Sequence, residues 1–446
     1  MPATALLQAA LVPPSSGRRL PGIEGLRGLA ALSVLAYHVW YYAPGEPPDL
    51  GQLGTAIAER LPLGVTLFFT LSGFLLYRPF ASAILAGRPL PNLYRYARNR
   101  VLRILPAYWV AVILAGAAGM TIVRWSGGQP ELGQIIAEPA LLARHLLLLQ
   151  NYDVGTVYTG VGPAWSLAVE VIFYGALPIL AALAVRAGRR ATSPRGRLSV
   201  ALLPPAALLI LGLASKRAAE TLAGPEKTLA LISFPALADL FSFGMVAAVM
   251  LVLVQERRVT LPASWRRWTV FATLAGLAAA QCIPLTAPLY QTAMALVFSL
   301  SVAAVVLPGP ADRPLWRPVR ALEAPALVWV GLISYSLYLW HEPIVHALNE
   351  LDVSRPGLLG LPINLALVTA AAVTVAGVVY RLVELPALNR KGPTAPAHAD
   401  AGGRHGGSHP PPAAHPMGEQ SIGSGAASPG EGLQQRVLDP GRLPAE

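Results

Sequence analysis

Three side chains in this otherwise apolar sequence have the types and positions to do acid–base chemistry. In PGIEGLRGLAALSVLAYHVWYY, which runs from Pro21 to Tyr42, Arg27 is followed eleven residues later by His38. Eleven steps of 100° return the two to within ~20° on one helix face, ~16 Å apart along the axis. Histidine is the side chain whose ordinary pKa suits proton transfer near neutrality, and it can also serve as a nucleophile. In WSLAVEVIFY, Glu170 has Ser166 and Tyr174 at i−4 and i+4, so the three form a polar stripe. His341, in SYSLYLWHEP, shares its face with Ser334 and Tyr338, and Pro343 loosens the helix just beyond it. Each has a plainer reading: an interfacial histidine beside Trp40, Tyr41 and Tyr42, or a hydrogen bond between helices. Ionisable groups inside bilayer segments are costly, however, and by default mark function.

A second chemistry lies among the arginines. RNRVLRILPAYW places Arg100 and Arg103 at i and i+3 immediately before an apolar run, and Arg78 follows LFFTLSGFLL. Basic residues end membrane spans whatever the function, and that reading suffices for Arg88, Arg95 and Arg98. For Arg78, Arg100 and Arg103 a phosphate-rich ligand is a further reading, because guanidinium forks match phosphate oxygens.

The elements that must hold these groups are membrane helices. Of 446 residues, 54% are hydrophobic and 13% charged, about half the charge of an ordinary globular domain. The net charge of +11 lies between apolar segments rather than on one face, so nucleic acid is not the expected partner; membrane lipid is. Ten runs approach the ~20 residues a bilayer requires: 26–43, 62–81, 104–123, 165–185, 198–214, 228–254, 269–286, 288–307, 325–347 and 362–383. With the N-terminus inside, every inner connection is rich in arginine and the outer turn between the seventh and eighth runs has none. The positive-inside rule therefore gives an all-α polytopic bundle of ten helices with both termini cytoplasmic, in the plasma membrane. Residues 1–20 are expected to be a short cytoplasmic segment, 21–390 the transmembrane domain, and 391–446 a disordered Pro/Gly/His-rich tail. The tail histidines His398, His405, His409 and His415 could bind a metal loosely, but an irregular disordered tract is the preferred reading, and no metal site is expected. The lone Cys282 excludes an intrachain disulfide and is expected to be a packed thiol. Within the longest outer connection, Arg124 to Pro163, the stretch 139–149 is expected to be a short non-spanning helix.

Counted from the outer ends of their helices, His38, Glu170 and His341 fall at one depth in the outer half of the membrane. Asp239, in FPALADLFSFG, is a further intramembrane acid whose face the sequence leaves unassigned.

Taken in order, these pieces resemble one family, the integral-membrane acyltransferases of the acyltransferase-3 type, which include bacterial surface-sugar O-acetyltransferases and macrolide acyltransferases. The resemblance covers about residues 20–386. It rests on EGLR at Glu24–Arg27 with His38 beyond it, FFTLSGFLL with Arg78, and RVLRILP with Arg100, Arg103 and Pro106. WSLAVEVIFY with Glu170, SYSLYLWHEP with His341, and ELP at Glu384–Pro386 complete the series. The resemblance implies transfer of an acyl group, commonly acetyl from acetyl-CoA, to a hydroxyl of a carbohydrate, a lipid-linked sugar or a macrolide. Acyl-CoA then enters as donor substrate, with no permanently bound cofactor. On this reading Arg27, Arg78, Arg100 and Arg103 bind the donor. His38 acts as general base or accepts the acyl group, and Glu170 or His341 orients it. The alternative from another class is a proton-coupled secondary transporter whose His and Glu form a relay.

Overall fold

The computed structural model describes residues 20–126, 129–308 and 316–390. Two units are distinguished, Met1–Thr394 and Ala395–Glu446. The expected tail, and nearly all of the expected N-terminal segment, lie outside the described residues.

A helix occupies each run of apolar sequence. In chain order these are α1 (Ile23–Tyr41), the short α2 (Gly51–Ala58), α3 (Leu63–Ala86) and α4 (Leu93–Ala117). A hairpin of β1 (Thr121–Ser126) and β2 (Gln129–Gly133) follows, then the short α5 (Pro139–Leu146) on the outer connection. The chain continues as α6 (Ala164–Ala187), α7 (Pro194–Ala219), the short α8 (Gly224–Leu231) and α9 (Phe234–Gln255). It ends with α10 (Trp265–Ala280), α11 (Pro288–Val306), the short α12 (Arg317–Leu322), α13 (Pro325–Glu350) and α14 (Gly357–Val379). The protein is thus a helical membrane bundle, as its apolar periodicity requires.

Seven of these helices are long and apolar enough to cross a membrane, so length and composition alone do not reach the expected ten. The three that fall short are instructive. Helix α10 has only 16 residues. Helices α1 and α13 are long enough but diluted by Glu24, Arg27 and His38 in one, and by His341, Glu342 and His346 in the other. The groups that could do chemistry are what lowers their hydropathy.

Helices α1 and α13 pack directly on one another, and small residues make this possible. A Cβ at Gly331 would lie 1.9 Å from the Glu24 carbonyl oxygen, and one at Gly28 would lie 2.7 Å from that of Leu327. Only glycine allows backbones so near, the usual device for close helix pairs in lipid. This contact sets Arg27 against Ser334 and His38 against His341. Near the end of α14 the helix widens into one π turn over Tyr380–Glu384, and Glu384 there is buried.

Several boundaries differ from the sequence expectation. The third helix begins at Leu93 and ends at Ala117, because residues after 120 pair as a hairpin instead of continuing the span. The sixth run breaks between α8 and α9 ahead of Pro235. Helix α7 extends to Ala219, which buries Lys216, a residue the sequence assigns to an outer loop. Its ammonium meets both Asp239 oxygens at 2.6 and 2.5 Å and Thr292 Oγ1 at 2.8 Å. Asp239 is thereby satisfied away from the histidines. Cys282 is exposed, not packed, since it falls in the turn after α10 ends at Ala280.

Candidate functional site

His38 stands in the last turn of α1, one residue from the buried Val39, and its ring is only slightly exposed. Its Nδ1 lies 2.8 Å from the carbonyl oxygen of Val34, one turn earlier. A carbonyl can only accept, so Nδ1 carries the proton. His341 repeats the pattern: its Nδ1 is 3.2 Å from the Leu337 carbonyl oxygen and carries its proton there. His341 Nε2 is then a lone pair, and it lies 3.1 Å from His38 Nδ1, so the His38 N–H is shared between Val34 and His341. This network leaves His38 Nε2 unprotonated. It faces Glu342, whose Oε2 lies 3.7 Å away.

Glu342 is the residue that sequence reasoning passed over. It is buried, between His38 on α1 and His346 one turn along its own helix, whose Nε2 is 3.5 Å from Glu342 Oε1. Gly162 leaves room for it, since a Cβ there would lie 2.3 Å from Glu342 Oε1. The signal in HEPIVH is an acid flanked by two histidines at i−1 and i+4.

His38, His341 and Glu342 offer ligand atoms within 4.8 Å of one another, close enough to hold a metal ion. Their hydrogen bonds account for that approach differently. His341 Nε2 is aimed at the protonated Nδ1 of His38, not at a centre it could share with His38 Nε2.

Glu170 does not join the histidines. It accepts a hydrogen bond from Ser72 Oγ and lines a separate, narrow cavity of about 120 Å³. Of the two residues the sequence offers for orienting His38, His341 is the one that touches it, while α6 turns Glu170 toward α3 and α4. Arg27, Arg100 and Arg103 line the same cavity. Arg27 donates to Ser334 Oγ at 3.2 Å and lies 3.9 Å from Glu24. Arg103 is paired with Glu384 at 2.9 Å, the acid that the π turn delivers. Arg100 lies over the Tyr174 ring, and its Nε has no hydrogen-bond partner among the described residues. Arg78 does not reach this cavity. Helix α3 continues to Ala86, and the guanidinium meets Gln255 Oε1 at 3.4 Å.

A second cavity, of about 380 Å³, is lined by His38 and Glu342 near the C-terminal end of α1, the end that the positive-inside reading assigns to the outer side. Val65 and Tyr338 line both cavities. Tyr338 is fixed between them, its hydroxyl 2.7 Å from Ser166 Oγ and donating to the Pro163 carbonyl at 3.1 Å. The site is thus two chambers in series. The inner one holds three guanidinium groups, and the outer one holds an unprotonated imidazole nitrogen backed by a carboxylate.

On the outer connection His145 is buried and touches Thr159. Desolvation pushes its pKa down to about 4.

Comparison with known proteins agrees with the sequence resemblance. The acyltransferase-3 family model, described as an acyltransferase domain, matches residues 20–381. The acyltransferase MdmB of Streptomyces mycarofaciens is 28% identical over 395 residues, covering 85% of this chain and 95% of that protein. The peptidoglycan O-acetyltransferase OatA of Listeria monocytogenes is 23% identical over 386 residues, covering 83% of this chain and 56% of that one. The O-acetyltransferase OatA of Staphylococcus aureus is 22% identical, covering 84% of this chain and 58% of its own. The chain therefore spans little more than half the length of these two OatA relatives. No solved structure matches it.

Proposed function

The chain belongs to the acyltransferase-3 family and is a multi-pass membrane O-acyltransferase, and we propose that it moves an acyl group, acetyl above all, from cytoplasmic acyl-CoA to an acceptor hydroxyl on the outer side. The observation that carries this reading is the pair of chambers in series. Arginine suits the phosphates of the donor on one side, and an unprotonated imidazole suits the acceptor on the other. Arg100 is the donor ligand of choice, because its Nε has no hydrogen-bond partner among the described residues whereas Arg103 is held by Glu384.

In the reaction, the acceptor O–H gives its proton to His38 Nε2 as its oxygen attacks the thioester carbonyl. The tetrahedral intermediate then collapses, the C–S bond breaks, and the thiolate of CoA leaves and takes up a proton. The His38 imidazolium that forms lies against the Glu342 carboxylate, while His341 holds the ring through Nδ1. The same carboxylate supports either role of His38, since an acyl group on Nε2 with Nδ1 protonated also makes the ring cationic. Acceptors of the class named by the relatives, cell-wall glycans, fit an outward-facing chamber; a glycosylated small molecule fits it equally.

The proton-coupled transporter is not favoured. Family membership points to transfer chemistry, and Tyr338 stands between the chambers with both its hydrogen bonds made.

The test is incubation of the purified protein with radiolabelled acetyl-CoA and candidate glycans. Label transferred to the glycan, and lost in His38→Ala with CoA binding retained, is the expected result. Uptake of substrate into liposomes with no acyl transfer would sink the proposal.

A further inference from the structure

We propose that the outer chamber selects an acceptor carrying no negative charge near its reacting hydroxyl, a neutral or amino sugar, and rejects carboxylated ones. This rests on the acyltransferase reading and concerns the same chamber. Its walls are aromatic: Tyr37 and Tyr41 from α1, Trp125 from β1, Tyr158 from the outer connection, and Trp165 at the start of α6. Rings of this kind offer apolar faces with polar edges, which suit the alternating C–H and O–H surface of a pyranose. The same faces attract an ammonium group.

Charge sets the selection. Among the described residues no lysine or arginine lines the chamber; its ionisable groups there besides tyrosine are His38 and Glu342. Gly162 makes room for the buried Glu342 carboxylate in the chamber wall, since a Cβ there would lie 2.3 Å from Oε1. The arginines on the outer connection are already engaged, Arg124 by Glu131 and Arg144 by Asp153. Arg60 donates to the Ala56 carbonyl and to Gln281. An anionic acceptor would thus meet a carboxylate and no available cation, in contrast to the inner chamber with its three arginines. A second carboxylate held ~5 Å from Glu342 would weaken binding on the order of a hundredfold at an effective dielectric of about 20.

Full-length protein in nanodiscs should be titrated with three matched probes: phenyl β-glucoside, its 2-amino-2-deoxy analogue and phenyl β-glucuronide. Saturation-transfer NMR reads binding without requiring turnover. The glucoside and the amine are expected to bind, with the glucuronide about a hundredfold weaker. Trp125→Lys places a cation on the chamber wall and should narrow that gap at least tenfold; Tyr158→Lys repeats the test from another element should the first variant not fold. Glucuronide binding as tight as the glucoside, binding of none of the probes, or an unchanged gap in the folded lysine variants overturns the proposal. Selective binding without acetyl transfer from acetyl-CoA to the bound probes would leave charge selection standing and remove the acyltransferase reading instead.

Discussion

Replacing Glu342 by Gln is the sharpest probe of how His38 is supported. The amide keeps the shape that fits against Gly162 and removes only the charge. Glu342 Oε2 lies 3.7 Å from His38 Nε2. At that separation, unit charges attract by about 4 kcal/mol at an effective dielectric of about 20. The His38 side chain is 16% exposed, so solvent screens part of this, leaving about 3 kcal/mol. Because the imidazolium exists only as the acceptor oxygen attacks, that energy is lost from the transition state and not from donor binding. A fall of roughly a hundredfold in turnover follows. The measurement is single-turnover transfer of labelled acetyl groups at saturating donor, beside equilibrium CoA binding on the same preparation. Transfer within threefold of wild type would show that the carboxylate does not support the ring. An equal loss of CoA binding would show that the substitution disturbs the bundle rather than the charge.

Other consequences follow from the same geometry. Arg100→Ala should weaken CoA binding at least tenfold with little change in melting temperature, because Arg100 has no acid partner among the described residues; isothermal calorimetry reads this directly. Arg103→Ala should instead destabilise the protein by about 3 kcal/mol or more, since it strands buried Glu384 without its cation, and thermal unfolding in detergent will show it. Lys216→Met should cost a similar ~3–5 kcal/mol by leaving Asp239 uncompensated, while transfer per folded molecule stays unchanged because this pair lies outside both chambers. His145 binds its proton more weakly folded than unfolded, its pKa being about 4 against an ordinary ~6.5. The unfolded chain therefore takes up more protons between those values, and stability present above pH ~6.5 is lost as pH falls toward 4, by about 3 kcal/mol in all. His145→Gln should flatten that part of the stability profile.

Which of these features could be read from the sequence depends on what each feature requires. The helices were legible because crossing lipid demands long apolar runs, and the meeting of His38 with His341 followed from two imidazoles at matched depth. Glu170 defeated the same logic. Depth fixes position along an axis but not which neighbour a face meets. Its stripe runs from Ser166, which reaches Tyr338, to Tyr174, which reaches Arg100, and places Glu170 beside Ser72 in between. Glu342 was missed although it adjoins His341, because one step of 100° along the helix carries it off the face of His341. The ring of His38 bridges that angle from α1. Lys216 looked like a loop residue because hydropathy fades before α7 ends, and only the fold shows Asp239 waiting for it. The hairpin did leave a mark: TIVRWS and QPELG flank Gly127–Gly128, a turn signature concealed by the apolar run before it.

The two chambers also bear on how a membrane enzyme can serve reactants that never share a compartment. On the proposed function, Tyr338, which lines both chambers, would hold donor phosphates and acceptor apart, so neither whole molecule would need to cross. What would pass is the small acyl carbonyl at the tip of a slender thioester arm. Arg27 on the inner side and His38 on the outer share one face of one helix, and α13 answers them with Ser334 and His341. One helix pair thereby fixes the distance between an arginine of the inner chamber and the imidazole that the proposed function makes the base. Glycines at Gly28 and Gly331 hold that pair together, so residues with no chemistry of their own set the alignment on which the chemistry depends. Activity should for this reason be more sensitive to the α1–α13 seam than to any lipid-facing part of the bundle.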